Sequence, residues 1–302
     1  MKTNVTVPMK TIHSLPLKTI HSLPQSAAQN GAKWIAMGLV VAVALWLDFD
    51  LKADTILPVD LGTAASFGVL AGTGITVAGP VNSTTINGNI GTFPTPSITG
   101  LGNVVLNGVN YGSNTVAQTA KANLLTAYNA AAGRLPTTIY APIFDLGGLI
   151  LTSGVYNDSS SLAITGTLTL DAGGNPNAVW IFQAGSTLTL AAGSQVILTN
   201  GAQAGNVFWE VGSSATLGTD SLILGSILAH DSITLDTGAT VTGQVLALNG
   251  AVTLDNNLIT LPAAPNAAVP EPGSVWLGGL GLAIMLIFRR RCFSVTNLFG
   301  KK

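Results

Sequence analysis

Charge is what this chain has least of. Only 8% of its 302 residues are Asp, Glu, Lys or Arg. Ten of the twelve basic residues lie in the two ends, and residues 54–261 keep only Lys121 and Arg134 against ten acidic residues, a net charge of −8. Such a body repels a phosphate backbone, so no nucleic-acid partner is expected. Cysteine is nearly absent too. Cys292 is the only one and lies outside the body, which excludes a disulfide framework or a cysteine-based zinc site there.

Catalytic equipment is equally sparse. His230 is the only histidine of the body, beside Asp231, and a His-Asp pair can serve acid–base chemistry. No nucleophile motif surrounds it and no second histidine could share a metal, so a corner or surface histidine is expected. The remaining acids are scattered, mostly in turns (Asp158, Asp171, Asp220, Asp255), without the repeating Asp-Gly spacing of a calcium site. Neither an enzyme nor a cofactor is expected.

What the chain does have is repetition. Five times an apolar residue is followed by Thr-Leu, with threonines at 169, 189, 216, 234 and 253, hence 20, 27, 18 and 19 residues apart. In a strand the leucines of such units point one way and the threonines the other. Units recurring about every 20 residues are the signature of a coiled solenoid, whose turns bury their apolar faces only by stacking. Thr169, Thr189, Thr216, Thr234 and Thr253 are therefore expected to form one outward column. Thr237-Gly238-Ala239-Thr240, with Thr242 following, is a second candidate. The plainer readings are that the column is a solvated face or lies under the helix, and that the second run is a solenoid corner.

One segment changes period. Val116, Ala120, Leu124, Tyr128 and Ala131 make a single stripe, which predicts a helix over about 114–132. Asn114 or Ser113 can cap its start and Gly133 can end it. Being almost uncharged, it should lie along the solenoid. Trp180, Phe182, Phe208 and Trp209 raise the question of sugar stacking. Phe208 and Trp209, as strand neighbours, must face opposite ways, and packing against the helix is the expected reason for the outward one.

The flanks differ from the body. Residues 1–53 contain a tandem octapeptide (KTIHSLPL, KTIHSLPQ), then Lys33 and the apolar run Trp34–Leu47, which reads as a secretory signal with cleavage expected near Ala53 or, alternatively, as an uncleaved anchor. A Pro/Ala linker at 262–268 follows the body at 54–261. Residues 269–291 then give Val-Pro-Glu-Pro, the apolar segment 273–288, and Arg289-Arg290-Arg291. Sixteen helical residues would measure roughly 24 Å, a short membrane span, with the arginines kept on the cytoplasmic side.

Two resemblances follow from these residues. VPEPGSVWLGGLGLAIMLIFRRR resembles a PEP-CTERM sorting signal. That implies roles for Pro270, Glu271, Pro272, Arg289, Arg290 and Arg291 in holding an exported precursor in the membrane until an exosortase-type enzyme processes it. The tail 292–302 departs from such signals, which stop soon after the basic cluster. The body resembles the ice-binding protein family through LGTAASFGVLAG, INGNIGTFP, AYNAAAGR, DLGGLILTSGVYN, ITGTLTLDAGGNPNAVWIFQAGSTLTL, NGAQAGNVFWEVGSSATLG and ITLDTGATVTGQVLALNGAVTLDNN.

This second resemblance implies a mainly β fold: a discontinuous right-handed β-solenoid of triangular section with one long helix alongside; the apolar runs at the two ends add flanking N- and C-terminal hydrophobic helices to this expectation. It further implies binding to ice through a flat, weakly charged Thr/Ser/Ala face, and Thr-small-X-Thr is a pattern some members use there. The expected partner is ice or, alternatively, an extracellular matrix or polysaccharide bound by a structural or adhesive envelope protein. A face that stays level over at least four coils would favour ice.

Overall fold

The structure, a computed structural model, describes residues 56–263. The signal segment, most of the linker, the sorting signal with its apolar segment, and the tail lie outside the described residues. Within 56–263, three eight-stranded parallel sheets enclose one apolar core, each coil supplying one strand to each sheet. Among the described residues no helix is long and apolar enough to cross a membrane.

Sequence pattern separates the sheets. Sheet A takes the near-continuous apolar strands Phe67–Ala71, Trp180–Ala184, Val207–Val211 and Ser226–Ala229, buried on both faces. Sheets B and C take alternating strands such as Leu188–Leu190 and Thr240–Thr242, whose central and flanking residues differ in burial. The coil runs from A to B to C, as in Ser226–Ala229, Ile233–Leu235 and Thr240–Thr242, before returning to A at Val245–Ala247.

Stacking does not follow chain order. Phe67–Ala71 lies between Asn89–Thr92 and Val245–Ala247, so the first coil stacks on the last one. The same insertion recurs in sheets B and C.

Helix α1 (Thr115–Ala132) lies over sheet A. The Asn114 carboxamide caps it, Oδ1 accepting from the N–H groups of Val116 (2.9 Å) and Ala117 (3.2 Å). Ala117, Ala120, Leu124, Ala127 and Ala131 are buried, and these small side chains let the helix approach Phe208, Ile181 and Leu228 closely. Val116, placed in the expected stripe, is instead 40% exposed, because the buried line runs one residue later at Ala117.

Polar contacts fix the helix at both ends. Lys121 Nζ donates to the carbonyls of Ala247 (2.5 Å) and Leu248. Gln183 Nε2 donates to the carbonyls of Ala131 (2.8 Å), Ala132 (3.2 Å) and Arg134 (2.9 Å), satisfying groups that the helix end leaves open.

Both aromatic neighbours of sheet A are buried. Phe208 faces α1, while Trp209 points into the solenoid and stacks on Phe182 at 4.1 Å between ring centres. The stack continues through Tyr156, Tyr140 and Phe144 toward the end of the solenoid formed by Thr138–Ile139, away from Val245–Ala247. None of these four aromatics presents a ring to solvent, as the expected packing against the helix requires of Phe208: Trp180, Phe182, Phe208 and Trp209 are at most 2% exposed.

Candidate functional site: the outer face of sheet B

Sheet A is covered by α1, which leaves sheets B and C as open faces. On sheet B, strand register brings threonines into line. Thr99 pairs with Thr76, Thr76 with Thr253, Thr253 with Thr234, Thr234 with Thr216, and Thr216 with Thr189. Six neighbouring strands thus carry one threonine each at the same position, a row of roughly 24 Å at the ordinary strand spacing. Inward partners such as Val252, Ile233, Leu217 and Leu190 are buried and hold the row from beneath.

The neighbouring columns are small and mostly uncharged. On one side stand Ala251, Ser232, Ser214, Thr187 and Ser161, joined by side-chain bonds such as Thr187 Oγ1 donating to Ser161 Oγ at 2.9 Å. On the other stand Ala78, Asp255, Asp236, Gly218 and Ala191. Within the row, Ala163 and then Asp145 follow Thr189, so a charge enters only at its end. The register of sheet B runs without a bulge along the row.

The expected site residues divide between faces. Thr189, Thr216, Thr234 and Thr253 stand in the row. Thr169 does not: it lies on sheet C, between Ile150 and Ile197. The 20-residue step from Thr169 to Thr189 covers less than one coil, for the residue preceding Thr189 in the row is Ala163, 26 positions earlier. Thr240 and Thr242 also point outward from sheet C, beside Leu222, Leu224, Leu258 and Thr260. Thr237 sits at the turn between B and C, where its hydroxyl donates to Asp255 Oδ2 at 2.5 Å. Sheet C therefore mixes threonines with side chains of unequal height, among them Ile150, 70% exposed, and Leu258, 42% exposed.

Thr76 and Thr99 join the row without being expected. Their strands read Ile75-Thr76-Val77 and Ile98-Thr99, which share the alternation but not the Thr-Leu pair. Strand alternation alone was the signal that could have found them.

A cleft of about 550 Å³ separates α1 from the turn between sheets A and B, lined by Lys121, Tyr128, His230 and Asn249 among others. Its polar groups engage one another. His230 Nδ1 lies 2.8 Å from Asp231 Oδ1, and Asn249 Nδ2 lies 3.2 Å from His230 Nε2. Burial holds both the Tyr128 hydroxyl and the Glu210 carboxyl above their usual range, each group also acting on the other. Burial lowers Lys121 to about 8. These contacts clasp the helix to the sheet. Among the described residues no three His, Cys, Asp or Glu side chains gather as metal ligands.

A family model described as ice-binding-like matches residues 69–260, nearly the whole described body. The chain belongs to the ice-binding-like family. A second model, the PEP-CTERM protein-sorting motif, matches residues 268–291. An ice-binding protein of Nostoc sp. (strain HG1) is 43% identical over 260 residues, covering 84% of this chain and 95% of that protein. One of Flavobacterium frigoris (strain PS1) is 34% identical over 227 residues, or 70% of this chain and 79% of that protein.

Solved structures agree with the fold. The ice-binding protein of the Antarctic ascomycete Antarctomyces psychrotrophicus superposes with a TM-score of 0.66 at 43% identity, over 68% of this chain and all of that one. A domain of ice-binding protein 1 from Shewanella frigidimarina gives 0.60 at 29% identity, over 70% of this chain and 99% of that one.

Proposed function

We infer that this protein is exported and adsorbs to ice through the outer face of sheet B. The observation that carries the reading is the unbroken row Thr99, Thr76, Thr253, Thr234, Thr216 and Thr189 on six adjacent strands. Each threonine offers a methyl group and a hydroxyl at a fixed strand interval. Such a row holds surface water in a regular array that a growing crystal can incorporate, while the buried residues below keep the array from shifting. No bond is made or broken. Family membership supports this reading, as do the printed names of the relatives.

The row keeps one register over six strands, which supports ice over a structural or adhesive role in the envelope. Sheet C, with its uneven aliphatic side chains, serves this purpose less well. Export follows from the matched sorting motif. Pro270, Glu271 and Pro272 would mark the point of exosortase processing, with 273–288 as the membrane segment and Arg289–Arg291 as its cytoplasmic stop. Purified protein spanning the described body should produce thermal hysteresis and reshape ice crystals. Ordinary, facetless growth at high protein concentration would reject the reading.

A further inference from the structure

Of the two basic side chains in the body, Lys121 is the buried one, 8% exposed on the inner face of α1. Burying an ammonium is costly unless an opposite charge meets it. Among the described residues no carboxylate forms an ion pair with Lys121. Its Nζ donates to the carbonyls of Ala247 and Leu248, which supply only partial negative charge and leave one ammonium proton over. Ala120, Leu124 and Ala127 pack the same helix against sheet A without any charge. Helix packing alone therefore does not call for lysine here. Although burial lowers the amine to about 8, it keeps its proton at neutral pH.

The cleft of about 550 Å³ opens beside this group and has the size of an ordinary small-molecule site. Lys121 lines it together with Leu248, whose carbonyl the ammonium holds, so the charge sits at the cleft's inner wall. Phe93, Pro94 and Leu125 make the remaining walls mainly apolar. A cation without a counter-charge, set among apolar walls, selects a carboxylate carried on a compact apolar body. The carboxylate accepts the remaining Lys121 proton in a charge-assisted hydrogen bond, and the body displaces water from the walls. An inorganic anion gains only the first effect and a neutral apolar molecule only the second.

We propose that the cleft between α1 and the turn from sheet A to sheet B binds a small monocarboxylate with an apolar body, its carboxylate seated on Lys121. The site lies beside the threonine row and not on it: Asn249 lines the cleft two residues before Ala251, which flanks the row. The proposal therefore goes beyond the ice reading of sheet B and stands or falls apart from it.

Phenylacetate is the probe, with 2-phenylethanol as its neutral counterpart and acetate as the same charge without the ring. The protein spans the described body, which closes both of its apolar cores within itself. Calorimetry measures affinity, and backbone amide shifts in NMR locate the ligand. Phenylacetate should bind about tenfold or more tightly than either analogue, since a hydrogen bond to a charged group and a buried phenyl ring are each worth about that factor. The shifts should centre on Lys121, Leu248 and Asn249.

Lys121→Met should lower phenylacetate affinity by about tenfold and leave 2-phenylethanol unchanged. Leu125 is 51% exposed, so Leu125→Trp fills the cleft without entering the core and keeps the test decisive should Lys121→Met fail to fold. It should weaken both phenyl ligands by about tenfold or more. No binding of phenylacetate, equal binding of 2-phenylethanol or acetate, shifts centred elsewhere, or full affinity in Leu125→Trp would each overturn the proposal. Lys121 would then serve only to clasp the helix to the sheet.

Discussion

Thr216 stands inside the row, with Thr189 on one side and Thr234 on the other. Its side chain is exposed, and its strand neighbours Ala215 and Leu217 point into the core. Replacing it with tyrosine keeps a residue that suits a strand and leaves the interior untouched, so stability should change by no more than about 0.5 kcal/mol. The ring, however, stands above its neighbours and holds the face away from a flat crystal. Contact is lost at Thr216 and at the threonine on each side. At about 0.8 kcal/mol for each methyl group removed from water, the loss is roughly 2.4 kcal/mol, or about fiftyfold in adsorption. Fluorescently labelled protein binding to a single-crystal ice surface measures this constant, and thermal hysteresis should fall with it. Thr242→Tyr makes the same chemical change on sheet C and should leave both measurements near wild type. Full activity in Thr216→Tyr, or an equal loss in Thr242→Tyr, would refute the assignment of the face.

Two further predictions concern the scaffold. Ile143 has a φ of +65° and is 77% exposed, an unfavourable backbone region for a β-branched residue with little packing in return. Ile143→Asn should stabilise the body by about 1 kcal/mol, raising Tm by about 2–4 °C in calorimetry, and an unchanged or lower Tm would refute the claim of strain. Glu210 is 6% exposed and titrates above its ordinary 4.5 because burial disfavours its charge. Above pH 4.5 the folded chain thus retains a proton that the unfolded chain has released, and stability falls as pH rises through that window. Glu210→Gln, nearly the same in size and without a titrating proton, should flatten this fall; an identical pH profile would show that Glu210 is not its source.

The sequence made the material of sheet B visible but not its order. Leu188-Thr189-Leu190, Ala215-Thr216-Leu217, Ile233-Thr234-Leu235 and Val252-Thr253-Leu254 announce both the alternation and the stacking. Leu168-Thr169-Leu170 obeys the same rule, because sheets B and C impose the same alternation on their strands. Spacing could not tell them apart while coils vary in length, from the 27 residues between Thr189 and Thr216 to the 18 between Thr216 and Thr234. Thr76 and Thr99 escaped for a different reason: their places depend on which coils touch, a property of tertiary packing. Helix α1 was legible from its apolar period and from Asn114. Val116 was misplaced because alanines, small and equally apolar, left the direction of the stripe underdetermined.

The insertion of the first coil between its successor and the last has a consequence for how the molecule comes into being. A simple stack could be laid down one turn at a time from the first residue onward. Here the pairing of Thr76 with Thr253 joins segments 177 residues apart, so a chain interrupted before its final coil is missing the middle of the finished object, not its tip. The first and last coils of the body close the seam together, and a ribosome must pass Thr253 before the complete row of hydroxyls can exist.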